Sequence, residues 1–191
     1  MPEAAELMVS RVPSGSTVTP GSLQTMAMAL TGSAQLLPRD MDFAAVGFGC
    51  TSGTAQIGVD VIANKVKSGV RTSQVTQPVS GLIAACRALK VKRLAIISPY
   101  IATVSERLCT VLAASGITVT ALRSFEEPLE RNVARIAPAS LRAAGIAIGQ
   151  DTDCDAVFLS CTNLRTLDII EDIENETGKP VLSSNQVLGW H

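Results

Sequence analysis

Two segments of this chain share one pattern, an apolar run that ends in a small residue and is followed by Cys-Thr. The first reads AVGFGCTSGT and contains Cys50, and the second reads AVFLSCTNL and contains Cys161. In each segment the residue after Cys-Thr, Ser52 or Asn163, is one that favours a helix N-cap. The pattern therefore predicts, twice in one chain, a buried strand that passes through a tight turn into a helix.

The rest of the chain alternates strand-like and helix-like segments, which predicts an α/β fold with a mostly parallel sheet. The cysteine segments divide it into two pseudo-symmetric Rossmann-like halves, with an active site in the cleft between them. We place the N-terminal half, carrying Cys50, at residues 1–90 and the C-terminal half, carrying Cys161, at residues 91–183. Residues 184–191 are predicted to start a truncated C-terminal helix.

The repeat between the halves is uneven. Leu7–Val12 is a predicted strand that matches the predicted strand Ile117–Leu122. The second half has a further strand and helix in Arg93–Ser115, and the first half has no counterpart to it before Leu7. The predicted helix Val79–Leu89 likewise lacks a full-length counterpart after Ser184. We therefore expect the first strand-helix unit and most of the last helix to be missing, which leaves a sheet edge exposed.

The position of the two cysteines suggests acid/base or nucleophilic chemistry by thiols. We predict helices over Thr54–Lys67 and Asn163–Thr177, directly after the cysteine turns. A thiol beside the unpaired N–H groups of a helix start has a lowered pKa and a nearby anion site. One thiolate then takes a proton from a carbon or attacks it, while the other thiol delivers a proton to the opposite face. Four neighbours are predicted to hold a substrate carboxylate: Thr51, Ser52, Thr162 and Asn163.

Composition narrows the function further. The only histidine is His191, so we expect neither a Ser-His-Asp triad nor a histidine-rich metal site. The net charge is −1 without a basic patch, which argues against nucleic acid as a partner. We find neither an apolar stretch of membrane-spanning length nor a signal peptide, and the odd number of cysteines favours reduced thiols, so we expect a cytoplasmic protein.

The other cysteines have plainer interpretations. A cysteine after an apolar strand is usually a small buried hydrophobic side chain, and the duplication is what favours a functional role for Cys50 and Cys161. Cys86 and Cys109 lie in apolar helical segments and are predicted core residues. A metal or disulfide pair between Cys154 and Cys161 stays open as an alternative.

Two more polar residues are candidates. Tyr100, the only tyrosine, follows Ser98-Pro99 at the end of the clearest predicted strand. Its hydroxyl group either binds a carboxylate or lies at the rim of the fold. Asn132 belongs to a stretch of acidic and basic residues whose default interpretation is solvated surface.

These pieces resemble the aspartate/glutamate racemase superfamily, and more narrowly its maleate cis-trans isomerase and arylmalonate decarboxylase branch. The resemblance covers essentially the whole chain, and the stretch from Ser124 to Ile136 is most similar to the ectoine-utilisation proteins of this branch. The resemblance rests on five segments: Gly49-Cys50-Thr51-Ser52-Gly53, Ser98-Pro99-Tyr100, Ser160-Cys161-Thr162-Asn163-Leu164-Arg165-Thr166-Leu167-Asp168, Ser183-Ser184-Asn185-Gln186 and Trp190-His191.

The resemblance implies a cofactor-independent enzyme without a metal. In the isomerases one cysteine adds to the double bond of maleate, rotation and elimination give fumarate, and a second cysteine assists with a proton. Carried onto this chain, Cys50 is the nucleophile and Cys161 the acid/base partner, while Tyr100 and Asn132 bind substrate carboxylates. Thr51, Ser52, Thr162 and Asn163 complete the anion sites. The decarboxylases lack one of the two cysteines, so the pair argues against a decarboxylase.

The chain also departs from this pattern, since it lacks the Pro-Ser-x-Asn-Thr segment that family members carry after their first strand. Three hypotheses therefore stand. The first is a maleate isomerase-like isomerase of a small carboxylic or dicarboxylic acid. The second is an ectoine-degradation enzyme or an amino-acid racemase that uses the same cysteine pair. The third is a non-catalytic carboxylate-binding protein. A homodimer is expected from the superfamily, and a membrane partner is not.

Overall fold

The computed structural model describes residues 5–191 and confirms the predicted α/β fold with parallel sheets. The strands are β1 (Phe43–Gly47), β2 (Thr72–Thr76), β3 (Arg93–Ser98), β4 (Thr118–Ser124), β5 (Ala156–Leu159) and β6 (Val181–Ser183). The helices are α1 (Pro20–Ala34), α2 (Thr51–Ile57), α3 (Val59–Lys67), α4 (Pro78–Ala88), α5 (Ala102–Ala114), α6 (Glu130–Val133), α7 (Pro138–Asp151), α8 (Ile170–Thr177) and α9 (Ser184–Trp190). A 3-10 helix at Leu167–Ile169 precedes α8.

The strands form two parallel sheets, one in each predicted half. β1 pairs with β2, and the larger sheet has the order β4-β3-β5-β6. β1 and β5, which precede the two cysteines, occupy equivalent places, but β5 pairs on both edges, whereas β1 has one partner among residues 5–191. All of β5 is buried, while β1 is partly exposed. The structure thus contains the exposed sheet edge that the uneven repeat predicts.

The predicted strand Leu7–Val12 is wrong, because these residues form no strand and Val9 is 77% exposed. Its counterpart in the repeat, β4, pairs with β3. In the described part of the first half, no strand equivalent to β3 is present to pair with it. The segment is held instead by a hydrogen bond in which the hydroxyl group of Ser10 donates to the carbonyl oxygen of Ser33 at 2.7 Å.

Both helices predicted after the cysteine turns differ in detail. The helix after Cys50 begins earlier, at Thr51, and is divided into α2 and α3 at Gly58, whose φ of 95° favours glycine. After Cys161 the chain makes a turn and a 3-10 helix before α8 begins. A helix start therefore lies next to Cys50, and none lies next to Cys161. No helix within residues 5–191 has the length and apolarity needed to cross a membrane.

The last helix connects the two halves. Helix α9 is capped by Ser183 and Gln186 and packs against α4, where a Cβ atom on Gly81 would lie 2.4 Å from the carbonyl oxygen of Val187. At its end, Nδ1 of His191 lies 2.6 Å from the hydroxyl oxygen of Thr76 in β2. What the sequence predicts as the start of a truncated helix is thus a seven-residue helix packed onto the first half.

The larger hydrophobic core also spans both halves. One face of the four-stranded sheet, with Ile97 and Leu159, packs into a cluster that includes Leu30 and Ile62 of the first half. The opposite face, with Phe158, packs into a second cluster around α4 and α5. The shared core fixes the ends of β1, β3 and β5 relative to one another. The domain bounds at residues 90 and 183 stay a prediction.

Candidate active site

A cavity of about 730 Å³ opens where β1, β3 and β5 end. Its wall includes Cys50 and Ser52 after β1, Tyr100 after β3, and Thr162 and Asn163 after β5. The carboxyl ends of parallel strands are where ligands bind in such folds. The structure therefore brings five of the eight predicted site residues to one cavity between the halves, while Cys161 lies behind Tyr100 and does not line it.

Cys50 is the N-cap residue of α2. The N–H of Gly53 donates to its sulfur atom at 3.2 Å, and the hydroxyl oxygen of Ser52 lies 3.7 Å from that sulfur. Burial raises the pKa of the Cys50 thiol, although both hydrogen bonds lower it, and the negative charge of Glu130 raises it further. The predicted lowering of this pKa is therefore wrong, because the lost hydration of the thiolate outweighs the two donors.

Cys161 is buried and has a φ of 135°, a conformation rare outside glycine. Burial raises the pKa of its thiol to about 12, against smaller lowering by the Tyr100 hydroxyl group and the N–H of Asn163 at 3.3 Å. The predicted lowering is wrong here as well, since no helix start faces this sulfur. Cys161 is a protonated thiol at neutral pH.

Tyr100 is 5% exposed and is no rim residue. Its hydroxyl oxygen lies 2.8 Å from the sulfur of Cys161, and its backbone N–H donates to the hydroxyl oxygen of Ser98 at 3.2 Å. Burial, and then the charge of a Cys161 thiolate, raise the pKa of Tyr100 well above its ordinary value. Tyr100 is therefore a proton-bearing donor placed between the cavity and Cys161.

Hydrogen bonds tie the two cysteine turns together. The buried hydroxyl group of Ser184 accepts from the N–H of Cys161 at 2.9 Å and from the hydroxyl group of Thr51 at 2.8 Å. The hydroxyl group of Thr162 donates to the carbonyl oxygen of Gly49 at 2.9 Å. Thr51 does not line the cavity, so its predicted anion-binding role has no support from its position.

Asn132 lies outside the cavity wall, and its amide group donates to the carboxylate of Glu127 at 3.2 Å. Its role in carboxylate binding stays a prediction. Two residues earlier, Glu130 does line the cavity and accepts a hydrogen bond from Asn163. Sequence reasoning missed Glu130 because it belongs to a stretch of acidic and basic residues, a pattern that predicts solvated surface. It also missed Ser184, whose only signal is its place in the Ser183-Ser184 pair.

The remaining cysteines carry no sign of a second site. All five cysteines are free, so Cys154 and Cys161 form no disulfide. Cys86 and Cys154 are buried, Cys109 is partly buried on α5, and the ammonium group of Lys179 lies 3.6 Å from the sulfur of Cys154. In the part of the chain that the structure describes, no three His, Cys, Asp or Glu side chains group to hold a metal ion.

Two known proteins have sequences similar to part of this chain. The chain is 36% identical over 120 residues to arylmalonate decarboxylase of Bordetella bronchiseptica, which covers 62% of this chain and 48% of that protein. It is 35% identical over 105 residues to maleate isomerase of Pseudomonas putida KT2440, covering 54% of this chain and 41% of that protein. The chain thus spans about half the length of the curated relatives it matches.

Solved structures share the fold. The maleate isomerase Iso of Pseudomonas putida S16, in a Cys-to-Ala form with maleate, superposes with a TM-score of 0.80 at 25% identity over 92% of this chain and 73% of that one. A liganded double mutant of arylmalonate decarboxylase gives a TM-score of 0.81 at 28% identity, over 94% and 77%. Residues 63–191 match the family described as Amdase, arylmalonate decarboxylase. The chain therefore belongs to the arylmalonate decarboxylase family.

Proposed function

We propose that this protein is a cofactor-independent isomerase of a small carboxylic acid, with Cys50 as nucleophile and Cys161 as acid/base partner. The observation that carries the proposal is that Cys50 lines the cavity while Cys161, from the other half, lies directly behind the cavity residue Tyr100. Cys50 sits at the cavity wall beside two donors, and Cys161 is buried against Tyr100. The charge of a Cys50 thiolate also raises the pKa of Cys161, so the two thiols are electrostatically coupled.

The surroundings of the two thiols support these roles. The N–H of Gly53 and the hydroxyl group of Ser52 stabilise a thiolate on Cys50 once its proton has left to solvent. This thiolate attacks one carbon of the substrate double bond, and the π electrons move toward the carboxylate as an enediolate. The thiol of Cys161 delivers its proton to the adjacent carbon, and Tyr100 stabilises the thiolate left behind.

A single bond now joins the two carbons, so the substrate can rotate. Elimination reverses the steps: Cys161 takes the proton back, the electron pair reforms the double bond, and the bond from carbon to the sulfur of Cys50 breaks. Cys161 is then a thiol again, and Cys50 is again the thiolate that began the attack. No cofactor enters these steps.

The relatives support an enzyme, while their names differ in reaction class. Maleate isomerase and arylmalonate decarboxylase match with nearly equal identity. The presence of both cysteines favours the isomerase, since the resemblance assigns the decarboxylases a single one. The second candidate is a racemase in which one cysteine removes the α-proton and the other delivers a proton to the opposite face, and the same coupling of the two thiols favours it. The ectoine link, the homodimer and the non-catalytic binding role stay predictions.

The test is proton NMR of the protein in deuterium oxide with maleate, with aspartate and with a diaminobutyrate derivative. Fumarate that appears with the wild type and not with Cys50→Ala supports the isomerase. Loss of an α-proton signal without a change of skeleton supports the racemase. Cys109→Ala is the matched control, because it removes a thiol outside the cavity and leaves turnover unchanged. No reaction with any of the three contradicts the proposal for these substrates and favours the binding role.

A further inference from the structure

The cavity wall carries one charged side chain that bonds to a residue of the Cys161 turn. Of the charged side chains that line it, Glu6 and Arg11 belong to the irregular segment before α1, whereas Glu130 belongs to α6. The negative charge of Glu130 raises the pKa of Cys50, of Tyr100 and of Cys161. Glu130 lines the cavity together with Cys50 and Tyr100, and Asn163, whose amide group bonds to Glu130, also donates its backbone N–H to the sulfur of Cys161.

Glu130 is held in this place from two sides. Its backbone N–H donates to the carbonyl oxygen of Ser16 at 3.1 Å, next to the bridge between Thr17 and Leu129. Its carboxylate accepts a hydrogen bond from the amide group of Asn163, through Oε1. Within residues 5–191 no protein donor reaches Oε2. The side chain therefore presents a fixed negative charge and an acceptor oxygen to the cavity.

We propose that Glu130 determines specificity: it selects substrates whose end next to α6 carries a hydrogen-bond donor, above all an ammonium group, and disfavours a second carboxylate there. This inference rests on the proposed function, because it concerns the substrate of the same site. A carboxylate beside Glu130 meets a like charge, whereas an ammonium group meets an opposite charge and a free acceptor. The substrate class is thus a small amino-substituted carboxylic acid.

The test compares two ligands that share a carboxylate and a two-carbon spacer, β-alanine with an ammonium end and succinate with a second carboxylate. Each is titrated against the rate at which iodoacetamide alkylates Cys50, so that the assay reads binding without turnover. For the wild type, β-alanine is expected to protect Cys50 at lower concentration than succinate. Glu130→Gln keeps the side-chain shape and removes the charge, and it should shift the ratio of half-protecting concentrations about tenfold or more toward succinate.

Two variants keep the result interpretable. Glu130→Asp retains the charge and should retain the preference for β-alanine. Glu126→Gln removes a neighbouring charge that does not line the cavity and should leave the ratio unchanged. An unchanged ratio in Glu130→Gln, an equal shift in Glu126→Gln, or no protection by either ligand overturns the inference. Failure of the proposed function gives a different result. In that case the protection of Cys50 still depends on Glu130, but NMR detects no reaction.

Discussion

The hydroxyl oxygen of Tyr100 lies 2.8 Å from the sulfur of Cys161, and both side chains are buried. Burial raises the pKa of both groups, so the pair holds two protons at neutral pH. Cys50 has no such partner and depends on the N–H of Gly53 and the hydroxyl group of Ser52. The two thiols that look alike in sequence thus differ in the groups that stabilise their charged forms.

Replacing Tyr100 by Phe should slow the reaction more than it weakens binding. A hydrogen bond to a charged group contributes about 1.5–3 kcal/mol, so the loss of this donor to the Cys161 thiolate should lower kcat by about 10- to 100-fold. The measurement is steady-state kinetics on the substrate that NMR identifies. A raised KM with unchanged kcat would contradict a role of Tyr100 in stabilising the Cys161 thiolate. It would favour the role in carboxylate binding that the sequence predicts for Tyr100.

Alkylation should distinguish the cysteines. Cys50 lies at the cavity wall with two donors for its thiolate, so iodoacetamide should modify it faster than Cys86 or Cys109. Because burial raises the pKa of Cys50 above 9.0, its rate should still increase as the pH rises past 9. Peptide mapping by mass spectrometry measures each site. Equal rates at all five cysteines would argue against the site assignment.

Much of this site follows from the sequence, because the alternation of strands and helices places the ends of β1, β3 and β5 together. Cys50 and Tyr100 could be assigned to one cavity, with Cys161 beside it, by that rule alone. The pKa directions could not, since a local motif shows the helix start beside Cys50 and does not show how deeply the core buries each thiol.

Contacts between distant parts of the chain could not be predicted from the sequence either. Thr51 faces Ser184, 133 residues away, instead of a ligand. Glu130 lines the cavity, whereas Asn132 on the same short helix bonds to Glu127. The orientation of a four-residue helix depends on what it packs against, and its charge pattern predicts only exposure.

Ser184→Ala should weaken both stability and catalysis. The buried N–H of Cys161 and the hydroxyl group of Thr51 would lose their acceptor, which costs about 1–3 kcal/mol and lowers Tm by about 2–12 °C for a domain of this size. Because Cys161 also has a strained φ, its sulfur should shift and kcat should fall.

Ser183→Ala is the matched control for this experiment. It removes the N-cap of α9, at a cost of about 1 kcal/mol, and leaves the N–H of Cys161 bonded to Ser184. Thermal melts and kinetics of both variants separate stability from positioning. If kcat falls equally in the two variants at matched stability, Ser184 does not position Cys161.

Alkaline pH should destabilise the fold. The folded-state pKa is about 12 for Cys161 and about 11 for Cys86, both above the ordinary 9.0. The unfolded chain therefore loses protons that the folded chain keeps, and stability falls as the pH rises from 9 toward these values. At pH 10.5 each thiol should contribute a loss of about 2 kcal/mol relative to pH 8. Urea unfolding at both pH values measures this, and Cys161→Ala should show a smaller difference between them than the wild type.

The contact between α4 and α9 offers the last test, because it holds the two halves together at a glycine. A Cβ atom on Gly81 would lie 2.4 Å from the carbonyl oxygen and 2.8 Å from the carbonyl carbon of Val187, both backbone atoms that cannot move alone. Gly81→Ala should therefore force the helices apart and cost about 2 kcal/mol or more in the free energy of unfolding. Gly189→Ala, in α9 itself, meets nothing within 4 Å and should be neutral or stabilise by up to about 1 kcal/mol through helix propensity. Urea unfolding of the two variants compares them directly. Equal stabilities would mean that α9 does not pack on α4 as closely as the structure shows, and that Ser184 at its start is not held against both cysteine turns.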